Sequence, residues 1–329
     1  MAADLPDTST PPDTSAPSDT GLRYSLIVLS YNQEAFVADA VRAVLAQDCF
    51  PIEIVISDDC SSDGTFAAIQ AATRGYKGPH RLHIRRNERN LGLVAHINQI
   101  IDMTTGDVII PAYGDDISAP SRVTEISRRF ETGKPLLVHS DAVAIDENGN
   151  ETRSNYRKAD FYRTTDALET ATSMALYLGA AGAWHRTLFG KYGPLNYPNV
   201  YDDHILGFRA ALENRVAFIE KPLLKYREGI GLSHQLNRDR NQTDTAATRR
   251  KKILDMMIAT FSQRLEDAAT FGLPKDHAII KKLHRARQKA EMRRACYDGM
   301  GQMLTRNLAH PFAALAAAGA EGLRIIRRR

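Results

Sequence analysis

Cysteine is scarce in this chain: 3 among 329 residues, at Cys49, Cys60 and Cys296. They show neither the paired spacing of metal ligands nor the density of a disulfide framework, so a stapled secreted scaffold is excluded and a reducing compartment, the cytosol, is expected. Long apolar runs are missing as well. No stretch offers the roughly 18–20 consecutive apolar residues that span a bilayer, so the chain is not expected to cross a membrane by itself. Glycine-rich phosphate loops are absent, with no G-x-x-x-x-G-K-[ST] and no G-x-G-x-x-G after a strand pattern, which removes the usual backbone cradles for phosphate. An excess of one charge is lacking too. The net charge of +4 is too mild to argue for nucleic acid, and none is expected as a partner. Residues 1–20 are rich in Pro, Ser, Thr and Asp but lack the basic start and apolar stretch of a signal peptide, so residues 1–21 are set aside as a disordered tail.

What is present is enough for a large core. A hydrophobic fraction of 43% with 25% charged residues is that of a globular protein, and the length suits two lobes, or one lobe with an appendage. From Tyr24 onward, "YSLIVLS" (24–30), "IEIVIS" (52–57), "LHIRR" (82–86) and "DVIIPA" (107–112) read as strands covered on both faces. Between them Phe36, Val37, Ala40, Val41, Val44 and Leu45 mark one helix face, a second helix starts at Thr65 and a third runs from about Leu93 to Met103. Right-handed crossovers then make a doubly wound, mainly parallel α/β sheet the economical topology. After Pro120 the rhythm changes to a mixed lobe. "LLVHS" and "AVAIDENGNET" read as strands with an Asn148-Gly149 hairpin turn, followed by helices over about 165–177 and 202–213 and the strands "VAFIE" and "LLKYRE". Beyond Ser233 a polar linker leads to a helical appendage with Ile253, Met256, Met257, Thr260, Phe261 and Leu265 on one stripe.

In an open parallel sheet the ligand crevice lies beyond the carboxyl ends of the strands. Those ends carry "SYNQE" (30–34), "SDDCSSDGT" (57–65) and "YGDDIS" (113–118). They should converge, with Ser30, Tyr31, Asn32 and Glu34 lining one wall and Asp58, Asp59, Asp63, Asp115 and Asp116 the others. So many carboxylates repel one another unless a cation or hydrogen-bond donors lie among them. A hard divalent ion held by one or two carboxylates plus substrate phosphates fits that arrangement, so the expected ligand is a nucleoside diphosphate and the expected cofactor Mg2+ or Mn2+.

With these residues in place the sequence resembles family 2 glycosyltransferases, inverting enzymes of the GT-A fold that use nucleotide-sugar donors. The likeness covers roughly Leu22 to Ser233 through "LIVLSYNQEAFVADAVRAVLAQ", "EIVISDDCSSDGT", "RNLGLVAHINQII", "TGDVIIPAYGDDI" and "YDDHILGFRAAL". It implies a nucleotide-sugar-binding half at 22–117, an acceptor half at 118–235 and a helical region at 236–329. It also implies that Ser30, Tyr31 and Glu34 approach the nucleotide, that Asp58 holds the base with Asp59 or Asp63 nearby, and that Asp115 sits near the ribose with Asp116 on the metal. Many members carry a further carboxylate two places before the first of this pair, where this chain has Tyr113. The general base that takes the acceptor hydroxyl proton is implied at Asp203, with Asp202 as the alternative of the i, i+1 pair. The loop "KYREGIGLSH" (225–234) resembles the family's closing loop, which implies diphosphate contacts at Arg227 and His234.

Each fragment also has a plain structural reading. "SSDGT" suits a turn and helix cap, Asp115 and Asp116 could cap the helix that follows, and Asp202 and Asp203 suit a helix N-terminus. Their occurrence together, in family order, favours the site. "HSD" (139–141) is not a nucleophile motif, since neighbours on a strand face opposite ways. Trp184 reads as core, and His204 as helix surface. The tail "PFAALAAAGAEGLRIIRRR" has the stripe and terminal arginines of a helix that could contact an anionic membrane face, although docking on protein is the commoner fate. The expected partners are thus a nucleotide-diphosphate sugar, a glycan or lipid-linked acceptor and an anionic membrane surface on the cytoplasmic side. Neither the transmembrane helices nor the Q-x-x-R-W element of processive synthases follows the second lobe, which points to single-sugar addition. Two alternatives stay open: a nucleotidyltransferase that makes the activated sugar, for which "SYNQEAF" lacks the required Gly, Arg and Lys loop, and a non-catalytic binding protein on the same scaffold.

Overall fold

The computed structural model describes residues 21–152, 165–230 and 245–298, together with Gly319. Strands β1 (Tyr24–Ser30), β2 (Glu53–Asp58), β3 (Arg81–Arg86), β4 (Val108–Tyr113), β5 (Ile117–Ser118), β6 (Leu137–Ile145), β7 (Gly182–His185) and β8 (Val216–Arg227) join in one sheet. Its order is β3-β2-β1-β4-β7-β6-β8-β5. The first four are mutually parallel, and the register sets Ser30 opposite Asp58 and Leu29 opposite Tyr113. The three carboxyl ends therefore finish level, and the loops after them share one edge. β7 turns antiparallel to β4 and β6, and the two-residue β5, directly after Asp116, pairs antiparallel with the end of β8.

Both faces of the sheet are covered, as the near-continuous apolar strands require. Alternate residues divide between two cores: Leu26, Val28, Ile54, Ile56 and Ile110 pack with helices α1 (Val37–Leu45), α2 (Thr65–Thr73) and α4 (Arg122–Glu131). Ile27, Leu29, Val55 and Ile109 pack on the other face with α3 (Leu93–Met103), α6 (Thr187–Tyr192) and α7 (Asp202–Leu212). That second core extends through Phe261 and Ala268 of α8 (Ala246–Phe271) and Leu283 of α9 (Ala278–Ala295). These C-terminal helices are thus a layer on that face of the sheet as well as an appendage. Trp184 is fully buried, as expected. No helix among the described residues is long and apolar enough to cross a membrane.

Several expectations need correction. β3 is an edge strand with Ile84 39% exposed, because nothing pairs beyond it in the sheet. The stretch read as a helix over 165–177 forms one turn, α5 (Ala167–Thr170), before the 3-10 turn Gly179–Ala181. β6 is continuous from Leu137 to Ile145, and the Asn148-Gly149 turn closes only the bridge Ile145–Glu151. "VAFIE" and "LLKYRE" are one strand whose register against β6 slips around Pro222, a residue with no N–H to donate. In α8 the inner place goes to Leu254 and Ile253 is 42% exposed. The tail 1–20, the linker after Ile230, His234 and the basic C-terminal segment lie outside the described residues.

Candidate active site

The β1–α1 loop is stitched to the β2–α2 loop by its own polar side chains. Asn32, in the left-handed region at φ 51, a conformation Asn tolerates, accepts from Ser62 N through Oδ1 at 2.9 Å while its N–H donates to Ser61 Oγ at 2.9 Å. Gln33 N donates to Thr65 Oγ1 at 2.7 Å. Glu34 Oε2 accepts from Gly64 N at 2.7 Å, and Asp63 returns the contact by accepting from Glu34 N at 3.2 Å and from Thr65 N at 3.0 Å. These bonds hold the Asp63 carboxyl below its ordinary value. Ser30 Oγ donates to Ser57 O at 3.2 Å across the strand pair, and Tyr31 is half-buried at the loop's start.

Asp58 and Asp59 turn inward. Asp58 is fully buried, accepts from Ser61 N at 3.1 Å and from Ser61 Oγ, and pairs with Arg86 Nε at 3.2 Å. Asp59 accepts from Asn87 Nδ2 at 2.6 Å, Leu91 N at 2.9 Å and Gly92 N at 2.9 Å, so it anchors "RNLGL" at the start of α3. The expected convergence is therefore present, but these two carboxylates are engaged by protein donors.

At the end of β4 the chain turns through Gly114, where an added Cβ would stand 2.5 Å from Gln33 Oε1 and 3.1 Å from Ser30 Cβ. The missing side chain leaves room for the Gln33 carboxamide and Ser30 against this turn. Asp115 and Asp116 follow, 4% and 3% exposed. Burial pushes the Asp115 carboxyl up to about 6, against a hydrogen bond from Gln33 and the charge of Arg227. Burial and then the charge of Asp115 push Asp116 well above its ordinary range. Arg227 braces this turn from β8: its N–H donates to Asp116 Oδ1 at 2.9 Å, Nε to Asp115 O at 3.0 Å, and Nη1 to Asp146 O and Glu147 O at 2.7 and 2.8 Å. Its guanidinium stacks 4.7 Å from the Phe36 ring centre. The side chain expected to reach outward to a diphosphate is 3% exposed and directed at main-chain carbonyls.

The second acidic pair opens α7. Asp202 is 4% exposed; Oδ1 accepts from Tyr113 Oη at 3.1 Å, and Oδ2 is buried with no hydrogen-bond partner. Asp203 keeps 20% of its side chain exposed and accepts from His204 N at 2.8 Å. Gly179 faces both, its absent Cβ 3.4 Å from Asp203 Cβ and 3.5 Å from Asp202 Oδ2. Burial pushes each carboxyl up to about 7, Asp202 further through the charge of Asp203. His204 is buried, contrary to its reading as helix surface, and burial with the nearby Arg264 lowers it to about 3, so it is neutral.

Tyr113 joins the two pairs. It lies two residues before Asp115 on β4 and bonds Asp202 on α7. The sequence marked it only as a missing carboxylate; its partner was not legible. Arg122 was missed too: fully buried, it donates to Ser118 Oγ and to the carbonyls of Pro111, Ala180 and Gly182. So was Arg264 of α8, which donates to His204 O and to the carbonyls of Thr170, Ala171 and Ser173. The signal available was the set of polar residues Gln263, Arg264 and Asp267 at helical spacing from Thr260 and Phe261 of the stripe read as apolar.

Among the described residues no three His, Cys, Asp or Glu side chains gather into a metal-holding group. What the site offers a hard divalent ion is the Asp115–Asp116 pair, whose raised carboxyls are those a neighbouring cation would favour as anions. Such a donor set fits an ion that takes one or two carboxylates and completes its shell with water and substrate phosphate oxygens.

Comparison with known proteins places this geometry. The model of Glycosyl transferase family 2 matches residues 25–193. EpsE of Bacillus subtilis (strain 168) is 31% identical over 131 residues, 40% of this chain and 46% of that protein. The match spans less than half the length of such curated relatives. The crystal structure of S. aureus TarS residues 1–349 in complex with UDP-GlcNAc superposes with a TM-score of 0.55 at 14% identity, covering 92% of each chain. Mannosyltransferase PcManGT from Pyrobaculum calidifontis, in complex with GDP-Man and Mn2+, superposes with a TM-score of 0.54 at 18% identity, covering 94% of this chain and 83% of that one. At those identities the likeness concerns the fold, and it agrees with the GT-A arrangement of a parallel half, a mixed half and C-terminal helices. With half of its length matched by the family model, the chain belongs to glycosyl transferase family 2.

Proposed function

We propose that this protein is an inverting glycosyltransferase that moves one sugar from a UDP- or dTDP-sugar to a glycan or lipid-linked acceptor. The observation that carries the reading is the Tyr113–Asp202 hydrogen bond of 3.1 Å, because it fixes two buried acid pairs, from the parallel half and from the acceptor half, against one another. In this reading residues 22–117 bind the donor and 118–235 the acceptor, and helices α8 and α9 support the acceptor half.

Asp203 is the proposed base. Of its pair it is the more exposed, and a carboxyl at about 7 is half-ionised near neutral pH, where proton transfer to a base is most effective. It takes the proton of the acceptor hydroxyl as that oxygen attacks the anomeric carbon and the bond from that carbon to the diphosphate oxygen breaks. Asp202, closed off and tied to Tyr113, is the alternative base of the pair. Asp116, with Asp115, would hold Mg2+ or Mn2+, which when bound supplies positive charge to the departing diphosphate. Ser30, Tyr31, Asn32 and Glu34 form the proposed nucleotide wall, kept in shape by Asp58, Asp59 and Asp63 behind it. Arg227 braces the Asp115–Asp116 turn. A cytoplasmic site of action and a membrane-facing tail remain part of the proposal.

Incubation with UDP- and dTDP-hexoses plus Mn2+, followed by measurement of released nucleotide diphosphate, tests it. Asp203→Asn is expected to bind UDP as the wild type does and to lose about 10²–10⁴-fold in turnover, the range of general-base catalysis. Undiminished turnover in Asp203→Asn rejects the assigned base.

A further inference from the structure

Helix α8 lies beyond the residues matched by the family model, yet it sends one charged side chain beneath the proposed base. Arg264 is fully buried. Its Nε and Nη2 donate to His204 O at 3.0 and 2.6 Å, and Nη1 donates to Thr170 O, Ala171 O and Ser173 O at 3.0, 2.9 and 2.7 Å. His204 directly follows Asp203. One guanidinium thus clamps the first turn of α7 to the segment that leads into the Gly179 turn, which faces both acids from the opposite side. Its rigid planar fork suits it to such a multidentate grip, which a lysine could not reproduce.

A second buried cation on the same helix pair supplies the contrast. Arg209, two turns further along α7, pairs with Asp267 of α8 at 3.0 Å and donates to Leu188 O, Gly193 O and Pro194 O. It also holds α7 against α8, but at the end remote from the acids.

We infer that Arg264 is a positioning residue for the transfer step, making α8 part of the catalytic apparatus through its grip on the carbonyl next to Asp203. The inference rests on the proposed role of Asp203 and adds to it. The charged and titratable groups facing Asp203 are Asp202, Tyr201 and His204 from its own segment, Tyr113 from β4, Tyr177 before the 3-10 turn and Arg264 from α8. Arg264 is the cation among them, and its charge favours the ionised base.

Two substitutions separate grip from charge. Arg264→Lys keeps the cation and loses the fork; kcat is expected to fall about 10²-fold, the effect of a misplaced catalytic group, with donor KM and the acid limb of the pH profile unchanged. Arg264→Gln removes the cation, and the acid limb is expected to move up by about one pH unit as well. Arg209→Lys loosens the same helix pair without approaching Asp203, and is expected to lower the melting temperature without moving the limb or cutting turnover per folded molecule. Should Arg264→Gln fail to fold, Arg264→Lys decides: loss of kcat among molecules shown folded by circular dichroism supports the inference, and loss only in proportion to the unfolded fraction overturns it. Equal behaviour of the Arg264 and Arg209 variants also overturns it. Failure of Asp203→Asn to reduce turnover would instead remove the base assignment beneath it.

Discussion

Acidic residues at the strand ends of this protein fall into two groups that look alike in sequence and differ in the fold. In the loops after β1 and β2, Glu34, Asp58, Asp59 and Asp63 accept main-chain N–H groups at short range, and Asp58 also holds an arginine. At the end of β4 and the start of α7, Asp115 and Asp116, both buried, and Asp202 and Asp203, buried and half-buried, stand in adjacent pairs, and each carboxyl is pushed upward. The first group is satisfied by the protein itself. The second takes protein donors too, Arg227 N at Asp116, Tyr113 Oη at Asp202 and His204 N at Asp203, yet its carboxyls stay raised and Asp202 Oδ2 has no partner, and perturbed acids of that kind mark candidate sites of chemistry.

Exchanging one acid from each group should break the molecule in different ways, and these are the largest effects expected. Asp116→Asn should cut turnover by about 10²–10³-fold, the scale of losing one electrostatic stabiliser, and abolish the Mn2+-dependent rise in melting temperature given by UDP, with little change in the melting temperature of the free protein. Asp59→Ala should do the reverse. It strands the donors of Asn87, Leu91 and Gly92 and should cost about 3 kcal/mol in denaturant unfolding, with turnover per folded molecule maintained. If Asp59→Ala instead abolished nucleotide binding in a stable protein, the division into two groups would fail.

Tyr113→Phe sharpens the comparison at the bridge between the pairs. Phenylalanine fills the same space, so the fold should persist, while Asp202 loses the hydrogen bond at Oδ1. A hydrogen bond to a charged group is worth enough to predict a fall in kcat of about tenfold with donor KM unchanged. A rise in donor KM at constant kcat would place the hydroxyl on the donor side.

Asp63 and the α7 pair should also respond oppositely to pH. Asp202 and Asp203, raised from an ordinary 3.8 to about 7, hold protons in the folded protein that the unfolded chain releases. Between those values the folded state binds more protons, so their contribution to stability declines as pH rises and levels off above about 7. Melting temperatures of the ligand-free protein from pH 5 to 7.5 should fall less steeply in Asp203→Asn than in the wild type.

Much of this was legible in the sequence because it rests on local pattern. Apolar runs ending in "SYNQE", "SDD" and "GDD" specify parallel strands that finish together, and the helix at 37–45 follows from its apolar stripe, with helices at 65–73 and 93–103 where the pattern places them. What was hidden depends on tertiary pairing. Nothing local says that Asp59 will find Leu91 N while Asp116 is met by Arg227 N, because donors and acids lie far apart in the chain. Arg122 and Arg264 were invisible for a related reason: a charged side chain on an inner helix face reads as an error in periodicity until the carbonyls it serves are brought to it. The one-turn helix at 167–170 reflects the same dependence, since the carbonyls of Thr170, Ala171 and Ser173 go to Arg264.

The smallest effect is expected at Asp63, which is only half-buried. Its carboxylate accepts from Thr65 N and Glu34 N, and losing such hydrogen bonds costs about 1 kcal/mol. Hydrogen bonds hold Asp63 below its ordinary 3.8, so its contribution is complete above that value and is lost as pH falls through the lower folded value. The stability difference between wild type and Asp63→Ala should therefore be constant from pH 8 to 5 and shrink in stronger acid. That is the inverse of the behaviour expected for Asp203→Asn. Denaturant titrations of both variants across this range would show whether the two kinds of carboxylate are physically distinct, and a shared pH dependence would mean that burial alone does not separate the acids that build this cleft from those that work in it.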